Sequence, residues 1–249
     1  MFFTAVQYKK KREAYCYHDH ACRFEIAATQ SLNGRFVGKH EGIFSRAVLE
    51  HYDHGLNLRH FELIVQAVFA DINHAELNKA ITPTHIANLK EIICAVVHWK
   101  MASQGGRADL KADNVKDKWK DDTVNAIINA YRRKDLRSFE IGGIRIPTAS
   151  AFLRFLFPDE YGIMDSRVVK ITQRNNITQL DLRADGWIKD INKNREQYNE
   201  NYNPFLVAEA CQLNNCGVLF QDVDEHGNPI NFKFRPCDIE MALFCKENA

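Results

Sequence analysis

The chain has 249 residues, 45% of them hydrophobic, which is enough to fill the core of one large domain or of two lobes that share a core. No run of about 18 apolar residues is present, which argues against a membrane span, and seven cysteines are an odd number for a secreted disulfide framework. We therefore expect a globular, cytoplasmic protein with reduced thiols and no N-terminal leader.

The formal net charge is only +1, but the positive charge is concentrated in the middle of the chain. From Lys100 to Arg174 there are 15 Lys and Arg residues against 10 Asp and Glu residues, which leaves −4 on the remainder. Such an excess is typical of a surface that faces phosphate, and equally of an ordinary solvated helix face.

The first 80 residues combine a basic cluster at 9–12, scattered histidines and amphipathic stretches such as 61–68, which indicates helices joined by loops. Four residues in this region resemble metal ligands: Cys16, His18, His20 and Cys22. A strand would spread them over about 20 Å, and a helix would bring only pairs to one side. A zinc site there would need a turn that the sequence does not indicate.

Two helices are predicted in the next part of the chain. Thr82-Pro83 is a typical helix beginning, and apolar residues then recur at helical spacing to about Trp99. After a break at 103–106, residues 124–131 place their apolar side chains on one helical face, and the basic residues 132–134 suit the end of this second helix.

A short turn at 136–139 and a stop at Gly142-Gly143 follow. Pro147 then opens an apolar helix whose small first turn allows close backbone approach, and Pro158 ends it. Another helix is expected after Asp165.

Towards the C-terminus, residues 216–234 predict a β-hairpin, and residues 238–245 predict a last helix. Four cysteines lie in this third of the chain: Cys211, Cys216, Cys237 and Cys245. Their spacing is too wide and irregular for the compact loop that holds an iron–sulfur cluster, so we expect no cofactor.

A glycine-containing hairpin joins two predicted helices at residues 141–151 (IGGIRIPTASA). Alone, this pattern fits a plain turn between helices as well as a hairpin whose backbone N–H groups bind phosphate. Together with residues 161–167 (YGIMDSR), it resembles the helix-hairpin-helix and Gly/Pro-Asp signature of the endonuclease III-like DNA glycosylases. Asp165 lies 18 positions after Pro147, which matches the family, and the resemblance is strongest over residues 134–172.

The resemblance implies an all-α fold with two lobes and an active-site cleft between them. The expected lobes are residues 81–160, which carry the hairpin, and residues 1–80 together with 161–249, within a single unit. It also implies a monomer that binds double-stranded DNA, with Asp165 as the catalytic residue. The implied DNA contacts are Gly143, Ile144, Arg145, Thr148, Gln104, Lys100 and Arg167.

Two positions depart from the family's pattern. Pro147 stands where lyase members carry a lysine, so no amine is present there to form a Schiff base with the sugar, and a monofunctional, water-using enzyme is implied. Arg145 stands in place of the second hairpin glycine; it weakens the close backbone contact but supplies a cation for the same phosphate.

Asp165 has two interpretations that can coexist. Near the sugar, a carboxylate would stabilise the positive charge that develops as a flipped base departs, and it would orient or deprotonate the attacking water. Otherwise Asp165 is simply the N-cap of a helix that starts at Ser166.

The remaining implied contacts also have structural alternatives. Gln104 either enters the duplex space left by the flipped base or is an ordinary loop residue. Trp99 is expected in the core, and the adjacent Lys100 is expected at the DNA backbone. Arg167 either contacts DNA or pairs with Asp159 or Glu160.

The sequence thus predicts a DNA glycosylase that hydrolyses the N-glycosidic bond and leaves an abasic site. The excised base is open, as is the choice between base-excision repair and defence against modified phage DNA. The alternative is a non-catalytic DNA-binding or scaffolding protein that retains the hairpin, although binding alone gives no use for a carboxylate that faces DNA.

Overall fold

The computed structural model describes residues 2–15, 58–101, 121–224 and 228–245, and these are mainly helical with one two-stranded sheet. The predicted mostly helical architecture and the C-terminal β-hairpin are both confirmed. The elements are α1 (Ala5–Glu13), α2 (Leu58–Leu77), α3 (Pro83–Met101), α4 (Asp121–Arg133), α5 (Ile146–Leu156), α6 (Ser166–Arg174), α7 (Asn192–Gln197), α8 (Asn203–Asn215), β1 (Leu219–Val223), β2 (Pro229–Lys233) and α9 (Pro236–Phe244).

None of the helices in these ranges has the length and apolar character needed to cross a membrane. Contacts divide the chain into two compact units. In terms of described residues, the terminal unit comprises 2–15, 145–222 and 229–245, and the central unit comprises 58–101, 121–144, 223–224 and 228. The units therefore divide between Ile144 and Arg145, whereas the expected hairpin-bearing lobe extended to about residue 160.

The central unit is built on α2, α3 and α4. Thr82 caps α3 as predicted: its Oγ1 accepts a hydrogen bond of 3.3 Å from the backbone N–H of His85, and the ring Nδ1 of His85 accepts one of 3.0 Å from the Thr82 N–H. Trp99, near the end of α3, is 8% exposed, in agreement with its predicted core position. Phe69 on α2 contacts Tyr131 on α4, with 5.7 Å between the ring centroids.

In the terminal unit, α1 packs against α9 around a buried ion network. Arg12 on α1, 4% exposed, donates to Asp238 Oδ1 at 2.9 Å and to Asp222 Oδ2 at 2.5 Å, and Arg235 also donates to Asp238 at 3.0 Å. Burial alone would raise the pKa of Asp238, but Arg235 and Arg12 together hold it well below its usual range.

A continuous helical run from α7 to α8 was not predicted. Between the two helices, Tyr198–Tyr202 forms one turn of π-helix. Single π-helical turns inside a longer helix occur frequently at functional sites. Residues 192–201 are mostly polar, and apolar residues do not recur there at helical spacing. Hydrophobic periodicity therefore gives no signal for a helix in this segment.

Candidate functional site

The glycine hairpin, residues 141–145, is a tight turn that leads directly into α5. Gly142 and Gly143 have φ angles of 61° and 89°, which side-chain-bearing residues rarely adopt. The N–H of Ile144 donates to the Ile141 carbonyl at 3.0 Å, and that of Thr148 donates to the Arg145 carbonyl at 2.9 Å. Arg145, an exposed residue at the N-cap of α5, follows this turn directly.

The Arg145 side chain is 69% exposed and pairs with Asp190. The same carboxylate also pairs with Arg195, so one negative charge is shared by two guanidinium groups. This arrangement orients Arg145 and places two guanidinium groups beside one carboxylate. An anion such as a phosphate is attracted to this position.

The helix after the hairpin is largely buried, as its apolar sequence predicted. Thr148, which we expected at the DNA, is 9% exposed in the first turn of α5. Ser150, fully buried one turn into α5, donates its hydroxyl to the Pro147 carbonyl at 3.0 Å and accepts the N–H of Met164 at 2.9 Å. Ser150 therefore connects the beginning of α5 to the segment directly before Asp165.

Asp165 lies at the N-cap of α6, as one interpretation of the sequence predicted. Its Oδ1 accepts the backbone N–H of Arg167 at 2.9 Å, and its carbonyl accepts the N–H of Val169 at 2.8 Å. The residue is partly exposed. The positive end of the helix dipole favours negative charge at this position.

The backbone before Asp165 is held by three side chains that we call the tyrosine clamp: Tyr198, Tyr202 and Asn203. The Tyr198 hydroxyl donates to the Gly162 carbonyl at 2.8 Å, and the Tyr202 hydroxyl donates to the Ile163 carbonyl at 2.6 Å. The side-chain oxygen of Asn203 accepts the N–H of Gly162 at 3.1 Å. These bonds hold three successive peptide groups, from the one that joins Tyr161 to Gly162 to the one that joins Ile163 to Met164.

The two clamp tyrosines are fully buried, and their rings stack with 5.9 Å between centroids. Burial raises the pKa of both phenols well above the ordinary value. The charge of Glu240 raises it further in both, and that of Asp165 contributes for Tyr202. Both hydroxyls therefore keep their protons and act as permanent hydrogen-bond donors.

Gly162 lies in close packing between Leu206 of α8 and the first turns of α9. A Cβ at this position would stand 2.3 Å from Leu206 Cδ1, and 3.3 Å from both Glu240 Cβ and the Pro236 carbonyl oxygen. A larger residue would have to push the tip of the Leu206 side chain aside and would crowd α9. The glycine of the sequence motif thus has a packing reason.

The other predicted contacts lie in different places. Arg167 is exposed, and its guanidinium stands 4.7 Å from the ring centroid of Phe244; within the described ranges it forms no ion pair with Asp159 or Glu160. Lys100 lies in the last turn of α3, in the central unit. Gln104 lies outside the described residues, as do the four potential zinc ligands between residues 16 and 22.

No group of three or more His, Cys, Asp or Glu side chains could hold a metal ion in the part of the chain that the structure describes. Cys211 and Cys216 are exposed, Cys245 is partly exposed and Cys237 is buried on α9; none of these four cysteines is in a disulfide.

Sequence reasoning missed Ser150 as a connector and the whole tyrosine clamp. The sequence places Tyr198 and Tyr202 four residues apart and Asn203 before a proline, but this local pattern does not indicate which distant backbone groups the three side chains bind. Comparison of the chain with protein-family models, curated proteins and solved structures gave no match.

Proposed function

We propose that this protein is a monofunctional DNA glycosylase of the helix-hairpin-helix type, with Asp165 as its catalytic residue. The main support is the position of the partly exposed Asp165 carboxylate at the N-terminus of α6. The backbone directly before it is hydrogen-bonded by the tyrosine clamp and by Ser150. Ser150 lies on α5, and Arg145, the proposed phosphate contact, is the N-cap of that helix. Hydrolysis at one site requires that the group that binds the phosphate and the catalytic carboxylate keep a fixed geometry relative to each other.

In the proposed reaction, a base is flipped out of the duplex and its N-glycosidic bond breaks, with the bonding electrons leaving on the base. The ionised Asp165 stabilises the positive charge that develops on the deoxyribose. It then accepts a proton from the water that attacks the anomeric carbon, and the departing base takes up a proton. The products are a free base and an abasic site, and no cofactor is needed.

Arg145 would bind the DNA backbone without reading sequence, because phosphate contacts position a duplex and carry no base information. Its exposure and its shared carboxylate, Asp190, support this role. Base identity would be read elsewhere.

The test is Asp165→Asn, assayed on oligonucleotides that carry oxidised, alkylated or deaminated bases and on DNA with bulky phage-type modifications. Asn caps helices about as well as Asp, so this change removes the charge while it keeps the cap. Base release should fall by about 10²–10³-fold, on the scale of other lost electrostatic contacts in active sites. DNA affinity should stay equal or rise, since a negative charge near phosphate is removed.

Asp135→Asn is the matched control, because Asp135 caps the short helix Leu136–Phe139 through the N–H of Ser138 at 3.1 Å. Its activity should equal that of the wild type. Near-normal base release by Asp165→Asn would overturn the catalytic assignment.

The products distinguish the monofunctional mechanism from a lyase. Pro147 offers no amine at the position of the family's lysine, so the DNA should carry intact abasic sites, and borohydride should trap no protein–DNA adduct. An efficient adduct that disappeared on mutation of Lys100 or Lys170 would refute this part of the proposal.

A second candidate is a non-catalytic DNA-binding protein. The hydrogen bond that the Asp165 carboxylate accepts from the Arg167 N–H favours it, because this bond gives the carboxylate a structural role. Salt-sensitive DNA binding without base release from any of these substrates would select it.

A further inference from the structure

Trp187 is 50% exposed, and among the described residues it is the aromatic side chain with a large exposed area. It lies in a short hairpin at residues 181–189, which we call the Trp187 turn. Leu182 and Ile188 form an antiparallel bridge across this turn. A solvent-exposed tryptophan on an ordered turn is typical of a binding surface.

The tip of the Trp187 turn is ordered by its own backbone. The N–H of Arg183 donates to the Trp187 carbonyl at 2.7 Å, and the N–H of Gly186 donates to the Arg183 carbonyl at 2.9 Å. Gly186 has a φ of 82°, and the Asp185 side chain accepts the N–H of Trp187 at 3.2 Å. The backbone that carries the indole is therefore ordered before binding, so little backbone conformational entropy is lost when Trp187 binds a partner.

The base of the turn is anchored in the terminal unit by Asn194, which is fully buried. Its side-chain oxygen accepts the Asp181 N–H at 2.7 Å, and its amide donates to the carbonyls of Asp181 at 2.9 Å and Lys189 at 2.7 Å. Ile188, next to Trp187, is 7% exposed. Burial of Ile188 thus stabilises the turn, whereas the larger side chain of Trp187 remains half exposed to solvent.

Several cationic side chains lie on or beside the Trp187 turn. The Lys170 Nζ stands 3.2 Å from the point that a Cβ on Gly186 would occupy. Each carboxylate of the turn and its flank has a cationic partner: Asp181 with Lys193, Asp185 with Arg183, and Asp190 with Arg145 and Arg195. With Lys170 and Lys189, the charged residues named here are six cations and three carboxylates.

Asp190 also joins the turn to the proposed phosphate contact, since it follows Lys189 directly and pairs with Arg145. The Arg145 guanidinium is therefore held at a residue only three positions along the chain from Trp187. DNA fits both features, because its phosphates complement the cations and its bases have faces that stack on indole.

We propose that Trp187 stacks on an unpaired DNA base next to the phosphate bound by Arg145. The inference rests on the proposed function, because the flipping of a base opens the duplex and exposes neighbouring base faces. A fully paired duplex presents no such face along its length, so Trp187 would select DNA that is already locally opened.

The test compares the binding of three fluorescent oligonucleotides by anisotropy: a paired duplex, the same duplex with one single-base bulge, and a single strand. Trp187→Ala should weaken binding to the bulged duplex and the single strand by at least about fivefold, which corresponds to the loss of one base–aromatic stack. Binding to the paired duplex should change by less than about twofold. Trp187→Phe should retain most of the affinity, but the quenching of tryptophan fluorescence by single-stranded DNA should disappear.

Ile230→Ala is the matched control, since Ile230 is 41% exposed in the same unit and no stacking role is assigned to it. It should bind all three oligonucleotides like the wild type. Equal affinity of Trp187→Ala and wild type for the bulged duplex would overturn the Trp187 inference and leave the glycosylase proposal standing. Selective loss of affinity, in a protein that releases no base from any substrate, would support the stacking role and overturn the glycosylase.

Discussion

Replacement of Tyr202 by phenylalanine tests whether the tyrosine clamp positions Asp165. The change removes one hydroxyl, which donates to the Ile163 carbonyl at 2.6 Å from a fully buried ring. That carbonyl also accepts the N–H of Asp165 at 3.0 Å, so it keeps one donor in the variant. The loss of stability should therefore stay near the net value of one hydrogen bond, about 1 kcal/mol.

The effect on activity should be larger than this loss of stability implies. The same carbonyl receives both the Tyr202 hydroxyl and the Asp165 N–H, so the backbone of Asp165 shifts when the clamp is weakened. A misplacement of about 1 Å reduces catalysis by about 100-fold, and we expect a 10- to 100-fold lower single-turnover rate of base release. The dissociation constant for DNA should remain within about twofold, because Arg145 is unchanged.

Tyr8→Phe is the control for a merely structural effect. Tyr8 is also fully buried in the terminal unit, and its hydroxyl donates to Glu209 at 2.6 Å. A hydrogen bond to a charged group is worth about 1.5–3 kcal/mol, so this variant should lose more stability in urea unfolding than Tyr202→Phe. Its rate of base release should nevertheless stay close to that of the wild type. Equal rates for wild type and Tyr202→Phe, with the stability loss observed, would refute the positioning role.

Two further variants test the anchor and the ion network. Arg145→Ala should weaken binding to all duplexes alike and flatten the salt dependence of binding by about one phosphate contact. Arg132→Ala is the control, because it removes another exposed arginine, which pairs with Glu76, and it should change neither quantity. An effect confined to one base would place Arg145 in a base pocket. Asp238→Asn should destabilise the protein by about 3–5 kcal/mol at pH 7. Because the folded pKa of Asp238 lies below its unfolded value, its contribution is present above about pH 4 and is lost as the pH falls through the folded pKa. Urea unfolding from pH 7 to pH 3 should therefore show a smaller acid-induced loss of stability in the variant than in the wild type, and parallel curves would contradict this.

Local patterns predicted the elements whose causes are local. Thr82 and Pro83 marked the beginning of α3, and the spacing of apolar residues in 124–131 marked the buried face of α4. Asp165 followed by Ser166 indicated an N-cap, and the structure has that cap. Caps and helical faces depend on residues three or four apart, so they can be recognised in a single sequence. The π-helical turn could not be predicted in this way, because tertiary hydrogen bonds hold its tyrosines.

The sequence by itself therefore determined the mostly helical architecture, the C-terminal β-hairpin and the carboxylate at the beginning of α6. Only the tertiary structure decided what surrounds that carboxylate: the hydroxyls of Tyr198 and Tyr202 reach carbonyls 36 and 39 residues away along the chain. It also decided that Arg145 pairs with Asp190 and that Trp187 stays exposed while Ile188 is buried. Such contacts depend on which helices pack together, and packing arises from the burial of many distant side chains that no short pattern specifies.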